Sequence, residues 1–227
     1  MTKLLKYGES QTLSDGTLIE RLPTGVIVVH NETTRVVPVP PKLFKRIMLD
    51  DLDKKEIKIL QGWMRPKGMS TSGFLSKRES LKRVIARDNE TLNKLGVTHE
   101  QIADELEAKL KEANKRLRDS KGGIERGING NKAGALAREV VFGEGGKYRA
   151  RPLYYMGSQD CPFERLPRFS GVKVGEASSD MTLVNQRLGK GVFFSELHIH
   201  LLRYHHFFEG HSRYRLEPNE VVQVLEM

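Results

Sequence analysis

Five of the seven histidines in this 227-residue chain stand within the fifteen residues from Leu197 to His211. Imidazole nitrogens bind transition metals and carry protons near neutral pH, so a cluster of them indicates a metal site or an acid–base site. The chain also has one cysteine, Cys161, whose thiolate is a strong ligand for the same metals. These residue types raise three possibilities: metal ligands, proton carriers, or polar residues at the edge of a buried segment.

The spacing of the histidines matters because the segment is predicted to be a helix. Leucine and aromatic residues recur along it at helical steps, Ser195 can cap its start and Gly210 can stop it, which predicts a helix over Ser195–Glu209. Two histidines on a helix chelate one ion best at i,i+4, and no pair here has that spacing. His198 and His205 share a face but lie about 10 Å apart along the axis, too far for one zinc ion. A regular helix alone therefore does not build a metal site.

Two other geometries bring histidines together. In a strand, His198 and His200 would share one face, as in cupin-like sites, but the glutamate expected about four residues later is absent. In the second geometry, His200 and His205 have the H-x4-H spacing found in zinc fingers, where a distorted helix end brings both rings onto the metal. This geometry, with Cys161 as a third ligand, predicts a zinc site. The predicted set is Cys161, His200, His205 and His211, with Asp160 and His206 as the other candidates for the fourth position.

Two further interpretations of the cluster stay open. In one, the histidines are hydrogen-bonded at the edge of the core, with aromatic residues of the same segment packing below them. In the other, they belong to a metal-dependent hydrolase or nuclease, with His205 and Glu209 as an acid–base pair or with Asp180 beside the histidines. The sequence supplies neither a nucleophile nor a located pocket, so a protein that is not an enzyme is favoured.

The elements that must position these residues begin with a β region. Apolar and β-branched residues dominate three short runs, Thr17–Arg21, Gly25–Val29 and Thr34–Val39, and Asn31–Thr33 makes the turn between the last two. The prolines at positions 38, 40 and 41 end the region, since proline cannot donate to a sheet ladder. Residues 1–41 are therefore predicted to form a β-hairpin or meander.

Residues 42–120 are predicted to be helical. Three pairs with capping-box spacing precede apolar runs: Asp53 with Glu56, Ser76 with Glu79, and Thr98 with Gln101. Gly96 is a natural stop for the second helix. The third helix carries a narrow apolar stripe with steps of four, four, three and four residues: Ile102, Leu106, Leu110, Ala113 and Leu117.

The formal charge of +9 lies almost wholly before residue 149, because residues 149–227 hold ten Lys and Arg against nine Asp and Glu. A positive field attracts the phosphates of DNA or RNA, or an acidic protein. On the second helix, five basic residues with few acidic neighbours are candidates for nucleic-acid binding: Lys77, Arg78, Lys82, Arg83 and Arg87. On the third helix the basic residues stand at i,i+4 from glutamates, which is typical of a solvated face and argues against the helix-turn-helix suggested by KLGVTHEQIADEL.

Residues 121–147 contain eight glycines and are predicted to form a hinge, within which Asn131–Val141 is a candidate short helix because it is rich in alanine. No phosphate-loop motif occurs there, so nucleotide hydrolysis is not predicted. Residues 148–227 are predicted to form a small mixed module. Its further elements are strands at Tyr148–Met156 and Met181–Asn185, a turn at Leu188–Gly191, and a final helix after Pro218 with Val221, Val222 and Leu225 facing inward.

Three segments of the chain resemble stretches of uncharacterised bacterial proteins: GFLSKRESLKRVIARDNETLNKLGVTHEQIADEL, SQDCPF and LHIHLLRYHHFFEGHSRYRLEP. The resemblance implies no activity. It does imply a second cysteine shortly after the CPF segment, which would complete a Cys2His2 set. In this chain Cys161 is followed instead by Pro162, Phe163, Glu164 and Arg165, so the fourth ligand stays open.

The sequence thus predicts an α+β protein with an N-terminal β-hairpin or meander (1–41), a basic helical region (42–120), a Gly-rich hinge (121–147) and a small, mixed, His-rich module (148–227). No run approaches the roughly 18 apolar residues of a membrane span, the opening residues lack a secretory signal, and a single cysteine fits a reducing compartment, so a cytoplasmic location is expected. The expected function is a non-enzymatic binding protein associated with DNA or RNA, with a zinc-finger-like C-terminal module. The alternatives are a metal-dependent hydrolase or nuclease and an adaptor that binds only protein.

Overall fold

The structure is a computed structural model that describes residues 48–119, 138–166 and 176–227, together with the backbone of six strands at 10–12, 18–22, 25–30, 33–37, 124–125 and 134–137. The chain divides into two compact units. The first comprises residues 1–46 and 163–174, and the second comprises residues 47–162 and 175–227.

The first unit contains four antiparallel strands that pair in chain order: β1 (Ser10–Thr12), β2 (Leu18–Leu22), β3 (Gly25–His30) and β4 (Thr33–Val37). In register, Ile19 pairs with Val28 and Val26 pairs with Val37, and these β-branched residues favour extended backbone. Asn31 and Glu32 of the predicted turn, and the prolines at 38, 40 and 41, lie outside the described residues. The predicted layout of residues 1–41 therefore stays a prediction.

The described part of the second unit combines helices with an antiparallel sheet, which confirms the α+β class. The helices are α1 (Lys54–Met64), α2 (Leu81–Leu95), α3 (His99–Asp119), α4 (Glu196–His205) and α5 (Pro218–Leu225). The strands are β5 (Ile124–Glu125), β6 (Gly134–Ala137), β7 (Val140–Phe142), β8 (Tyr148–Asp160), β9 (Glu176–Asn185) and β10 (Lys190–Ser195). Their order across the sheet is β10-β9-β8-β6-β5, and β7 also pairs with β8.

The core of the second unit lies between α3 and the sheet, and α4 and α5 contribute to it. The whole predicted apolar stripe of α3 is buried, which confirms the sequence pattern: Ile102, Leu106, Leu110, Ala113 and Leu117. These residues belong to one hydrophobic cluster with side chains from the sheet and both C-terminal helices, such as Met181, Phe194, Leu202 and Val221. The helical region before residue 120 and the C-terminal segment therefore share a single core.

Two of the three predicted helix starts are confirmed. The side chain of Asp53 accepts from the N–H of Glu56 at 2.8 Å, and the Glu56 carboxylate accepts from the N–H of Asp53 at 2.9 Å. Thr98 and Gln101 exchange the same two bonds at 2.8 and 3.2 Å. Gly96 ends α2 in the left-handed region with φ of 70°, as predicted.

The third predicted helix start is wrong. The N–H of Ser76 donates to the carboxylate of Glu79 at 2.8 Å, but these residues form a turn, and α2 begins later at Leu81. The guanidinium of Arg65 donates to the backbone carbonyls of both Ser76 and Glu79. The carbonyl of Ser76 also accepts from the N–H of Glu79 at 3.3 Å, so these contacts close a turn that precedes α2.

Two further predictions of local structure are corrected. The alanine-rich segment Asn131–Val141 is not a helix where it is described, because β6 pairs with β8, with Leu136 opposite Leu153, and β7 begins at Val140. Pairing in the sheet therefore overrides the helix propensity of alanine. The predicted turn at Leu188–Gly191 lies slightly earlier, since β10 already starts at Lys190 and Gly189 supplies the positive φ of 63°.

The remaining predicted elements are present. The strands predicted at Tyr148–Met156 and Met181–Asn185 lie within the longer strands β8 and β9. α5 begins at Pro218, and Val221, Val222 and Leu225 are all buried. Within the described residues, none of the helices combines the length and apolar character that crossing a membrane requires.

Candidate metal centre

Three of the predicted ligands meet inside the second unit. Cys161 directly follows β8, His200 lies in the middle of α4, and His205 is the last residue of that helix. The sulfur of Cys161 and one ring nitrogen from each histidine all lie within 4.8 Å of one another. The Sγ of Cys161 is 3.2 Å from the Nε2 of His205, and this Nε2 is 3.2 Å from the Nε2 of His200.

The two histidines lie five residues apart in α4, and the second of them is the last residue of the helix. On a regular helix such side chains point about 140° apart, since each residue turns the helix by about 100°. His206 adopts a left-handed conformation with φ of 52°, and its N–H and that of Phe207 donate to the last carbonyls of the helix. The helix therefore stops at His205, and the rings of His200 and His205 meet edge to face with centroids 5.1 Å apart. The predicted continuation of the helix to Glu209 is wrong, because α4 ends at His205.

The distances fit a tetrahedral metal site. Zinc bonds of about 2.05 Å to nitrogen and about 2.3 Å to sulfur place two nitrogens about 3.3 Å apart and a nitrogen and a sulfur about 3.6 Å apart. The observed separations of 3.2 Å for both pairs lie within a few tenths of an ångström of these values. These two pairs therefore already lie close to the separations that a shared metal ion would impose on them.

The two contacts of His205 converge on one ring nitrogen. The Nε2 of a neutral imidazole has one in-plane position, which holds either a proton or a lone pair. In His205 that single position faces both the thiol of Cys161 and the Nε2 of His200. A metal ion accepts a lone pair from each of the three atoms at the same time, so it accounts for both short contacts together.

The side chains of Cys161, His200 and His205 are buried. The relative exposure is 1% for Cys161, 8% for His200 and 1% for His205. Buried polar side chains are costly unless they are bonded to a partner or to a metal. Burial of one thiol and two imidazoles around one point is typical of a structural metal site.

Glu164 is a further side chain of ligand type, and sequence reasoning did not identify it as a ligand. It follows Cys161 by three residues, within the 3-10 helix Phe163–Arg165. The pair has the C-x2-C spacing of many zinc sites, with a carboxylate in place of the second sulfur. This spacing could have identified Glu164 as a ligand from the sequence, because the resemblance implies a second cysteine in the same part of the chain.

His198 is a structural histidine, as the interpretation without metal proposed. Its Nδ1 accepts from the N–H of Ser195 at 3.0 Å, so its Nε2 carries the proton in the neutral ring and donates to the carbonyl of Tyr214 at 2.7 Å. The same Nε2 lies 3.3 Å from the buried carboxylate of Glu209. This pairing corrects the proposed acid–base pair of His205 and Glu209, because Glu209 faces His198 instead.

The other sequence candidates for the fourth ligand lie outside the group. His206 faces the carboxylate of Glu100 at 3.1 Å and stacks on His99 with ring centroids 4.1 Å apart. His211 is exposed, and its backbone N–H donates to Glu79 at 2.7 Å. Asp160, at the end of β8, and the buried Asp180 do not belong to the group of ligand atoms.

The five basic candidates for nucleic-acid binding are all exposed: Lys77, Arg78, Lys82, Arg83 and Arg87. The prediction that all five lie on the second helix is corrected, because Lys77 and Arg78 belong to the turn before it. On α3 the three predicted ion pairs are present, with distances of 2.8, 2.6 and 2.9 Å: Glu105–Lys109, Glu107–Lys111 and Glu112–Arg116. The solvated face of α3 is therefore confirmed.

No protein-family model matches this chain, and neither a curated protein nor a solved structure matches it. The likeness of three segments to uncharacterised bacterial proteins therefore stays a prediction from the sequence. Any function has to be argued from the arrangement of the residues.

Proposed function

We propose that this chain is a zinc-binding protein in which the metal has a structural role. The observation that supports the proposal is the convergence of one sulfur and two ring nitrogens within 4.8 Å: those of Cys161, His200 and His205. A mixed set of thiolate and imidazole ligands favours zinc over magnesium or calcium, which prefer oxygen. Glu164 is the proposed fourth ligand, because only two residues separate it from Cys161 in the chain.

A structural role is favoured over catalysis because of the burial of the ligands. A catalytic zinc keeps one coordination position open for water or substrate. Here Cys161 and His205 are each 1% exposed, and His200 is 8% exposed. The metal-dependent hydrolase or nuclease predicted as the alternative requires access that these exposures do not support.

The proposed metal would join two distant parts of the second unit. Cys161 lies at the end of the central strand β8, and His205 follows it by 44 residues at the end of α4. The metal would link the C-terminal end of β8 to the C-terminal end of α4, a helix that also packs against α3. In this respect the module is zinc-finger-like, since the H-x4-H pair lies at a helix end.

Metal analysis of the purified protein tests the proposal. We expect about one zinc per chain by elemental analysis, since one tetrahedral site holds one ion, and loss of the metal in Cys161→Ser and His205→Ala. His206→Ala is the matched control, because it removes the neighbouring histidine, which pairs with Glu100 instead, and should keep the metal. Metal content that is equal in all three variants, or protein that takes up no zinc on reconstitution, would contradict the proposal.

The role of Glu164 has its own test. Glu164→Gln keeps the size of the side chain and removes the carboxylate charge, so we expect zinc to be retained with lower affinity. Competition with a chromogenic chelator measures the zinc affinity of the variant and of the unaltered protein. An affinity equal to that of the unaltered protein would show that the fourth ligand is a different group.

A further inference from the structure

A positively charged surface is formed by the first half of α2 and the segment that joins α1 to α2. Five basic side chains between residues 77 and 87 are exposed. We call Lys77, Arg78, Lys82, Arg83 and Arg87 the basic surface. Among the described residues, only Arg87 of these five has an ion-pair partner, the adjacent Asp88 at 3.2 Å.

The acidic residues in this segment are held inward. The carboxylate of Glu79 accepts from the backbone N–H groups of Ser76 at 2.8 Å and of His211 at 2.7 Å. Asp88 is 1% exposed, and its two oxygens accept from the guanidinium of Arg215 at 3.0 and 2.7 Å. The inward acids are thus occupied by donors of their own, and most of the outward bases are left to interact with solvent or a partner.

Three of the five basic residues of α3 are arranged in the opposite way. Lys109, Lys111 and Arg116 each have a glutamate partner at i,i+4 within 2.9 Å. Their charges are largely compensated on the helix itself. The charges of the basic surface are therefore less compensated by neighbouring carboxylates than the charges of these three residues.

We infer that the basic surface binds the phosphate backbone of nucleic acid without sequence preference. Protein–DNA interfaces are polar and strongly positive, whereas the centre of a protein–protein interface is rich in apolar and aromatic residues. The exposed large apolar residues of the described chain all lie outside residues 77–87: Leu95, Val141, Leu188, Phe193 and Met227. The basic surface has charge without an apolar centre, which favours phosphates over an acidic protein.

The helical part of this surface presents its charges together. Lys82, Arg83 and Arg87 follow one another at separations of one and four residues, so they lie on one side of α2 within about 7.5 Å along its axis. The buried residues of the same turns, Leu81, Val84 and Ile85, anchor the opposite side. The metal centre contributes nothing to this surface, so the two proposals can fail separately.

Salt-dependent binding to DNA tests the inference. With five phosphate contacts, the logarithm of the association constant should fall with a slope of about −4.5 against the logarithm of salt concentration. The affinity for a fluorescein-labelled 20-base-pair duplex, measured by anisotropy, should then drop about 500-fold between 50 and 200 mM salt. No binding at 50 mM salt would overturn the inference.

A pair of matched double variants assigns the binding to the basic surface. Lys82→Gln/Arg83→Gln should reduce the slope by about 1.8 and weaken binding about 60-fold at 0.1 M salt, because two phosphate contacts are lost. Lys111→Gln/Arg116→Gln removes the same charge from α3 and should bind as the unaltered protein does. An equal loss in both variants would show that only net charge matters and would overturn the inference.

Competition separates nucleic acid from an acidic protein partner. Polyglutamate of matched charge should displace the duplex weakly if the surface recognises phosphates. Polyglutamate that binds as tightly as the duplex, with the same loss in Lys82→Gln/Arg83→Gln, would overturn the inference in favour of an acidic protein. Circular dichroism of each variant checks that the helices are retained.

Discussion

Removal of zinc is expected to lower the melting temperature of the protein by about 8–16 °C relative to protein in excess zinc. The reason is that the folded chain binds the metal far better than the unfolded chain does. Cys161 and His205 are 44 residues apart in sequence, and their ligand atoms are 3.2 Å apart in the fold. Closing a loop of that length in the unfolded chain costs about 3 kcal/mol in conformational entropy. The folded protein already holds the two ligands together, so metal binding to the folded state does not carry this cost.

The size of the shift follows from linkage. A ligand that binds only the folded state stabilises it by about 4 kcal/mol when its free concentration is 1,000 times its dissociation constant. For a chain of about 150–250 residues, each kcal/mol shifts the melting temperature by about 2–4 °C. The product is the stated range, and it should scale with the logarithm of free zinc concentration.

Thermal unfolding followed by circular dichroism at 222 nm, in a zinc buffer and then in chelator, measures this shift. His205→Ala should melt at the same temperature in both solutions, because its site is broken. His206→Ala should keep the full response. A melting temperature that stays constant in the unaltered protein, while elemental analysis shows that the metal has left, would refute a stabilising role for the metal.

Asp88→Ala is expected to reduce the free energy of unfolding by about 1.5–3 kcal/mol in urea titrations, because it removes the buried carboxylate that pairs with the guanidinium of Arg215 and leaves only the more exposed carboxylate of Glu217. The double variant Asp88→Ala/Arg215→Met should recover part of this loss, and a single-variant effect below about 1 kcal/mol would contradict the expectation. A hydrogen bond from Lys111 lowers the pKa of Glu107 below its ordinary 4.5, burial opposes this, and Arg203 lowers the pKa further. Glu107 therefore adds stability above pH 4.5 that is lost as the pH falls through its lower folded-state pKa. In Glu107→Gln the melting temperature should fall less steeply as the pH is lowered through the acid range. The same dependence of the melting temperature on pH in the variant and the unaltered protein would contradict this pairing.

Helix starts could be predicted where the determinants are local. In Asp53 with Glu56 and in Thr98 with Gln101, each side chain satisfies a backbone N–H three residues away, so the pattern carries its own cause. Ser76 and Glu79 show the same pattern but do not begin a helix. Both of their carbonyls accept from Arg65, and the sequence gives no sign that a residue eleven and fourteen positions earlier would reach them.

The candidate site was predictable in its residue types but not in its geometry. Cys161, His200 and His205 could be chosen because thiolate and imidazole are zinc ligands and H-x4-H is a known spacing. His211 was chosen on the same basis, but it lies after the chain has turned away from the end of α4, and it is exposed. The position of that turn depends on the left-handed conformation of His206. Residues other than glycine rarely adopt this conformation, so the sequence does not predict the turn.

The histidines of one short segment consequently divide into two kinds, and the division rests on hydrogen-bond accounting. Both ring nitrogens of His198 have protein partners with compatible roles, one accepting from Ser195 and the other donating to Tyr214, so this ring needs no metal. In His205 one ring nitrogen faces a sulfur and a second imidazole nitrogen at the same distance of 3.2 Å. A single proton cannot serve both contacts equally, whereas a metal ion can. The two kinds of histidine share the same helix and the same burial, so only the geometry of their partners separates a structural residue from a ligand.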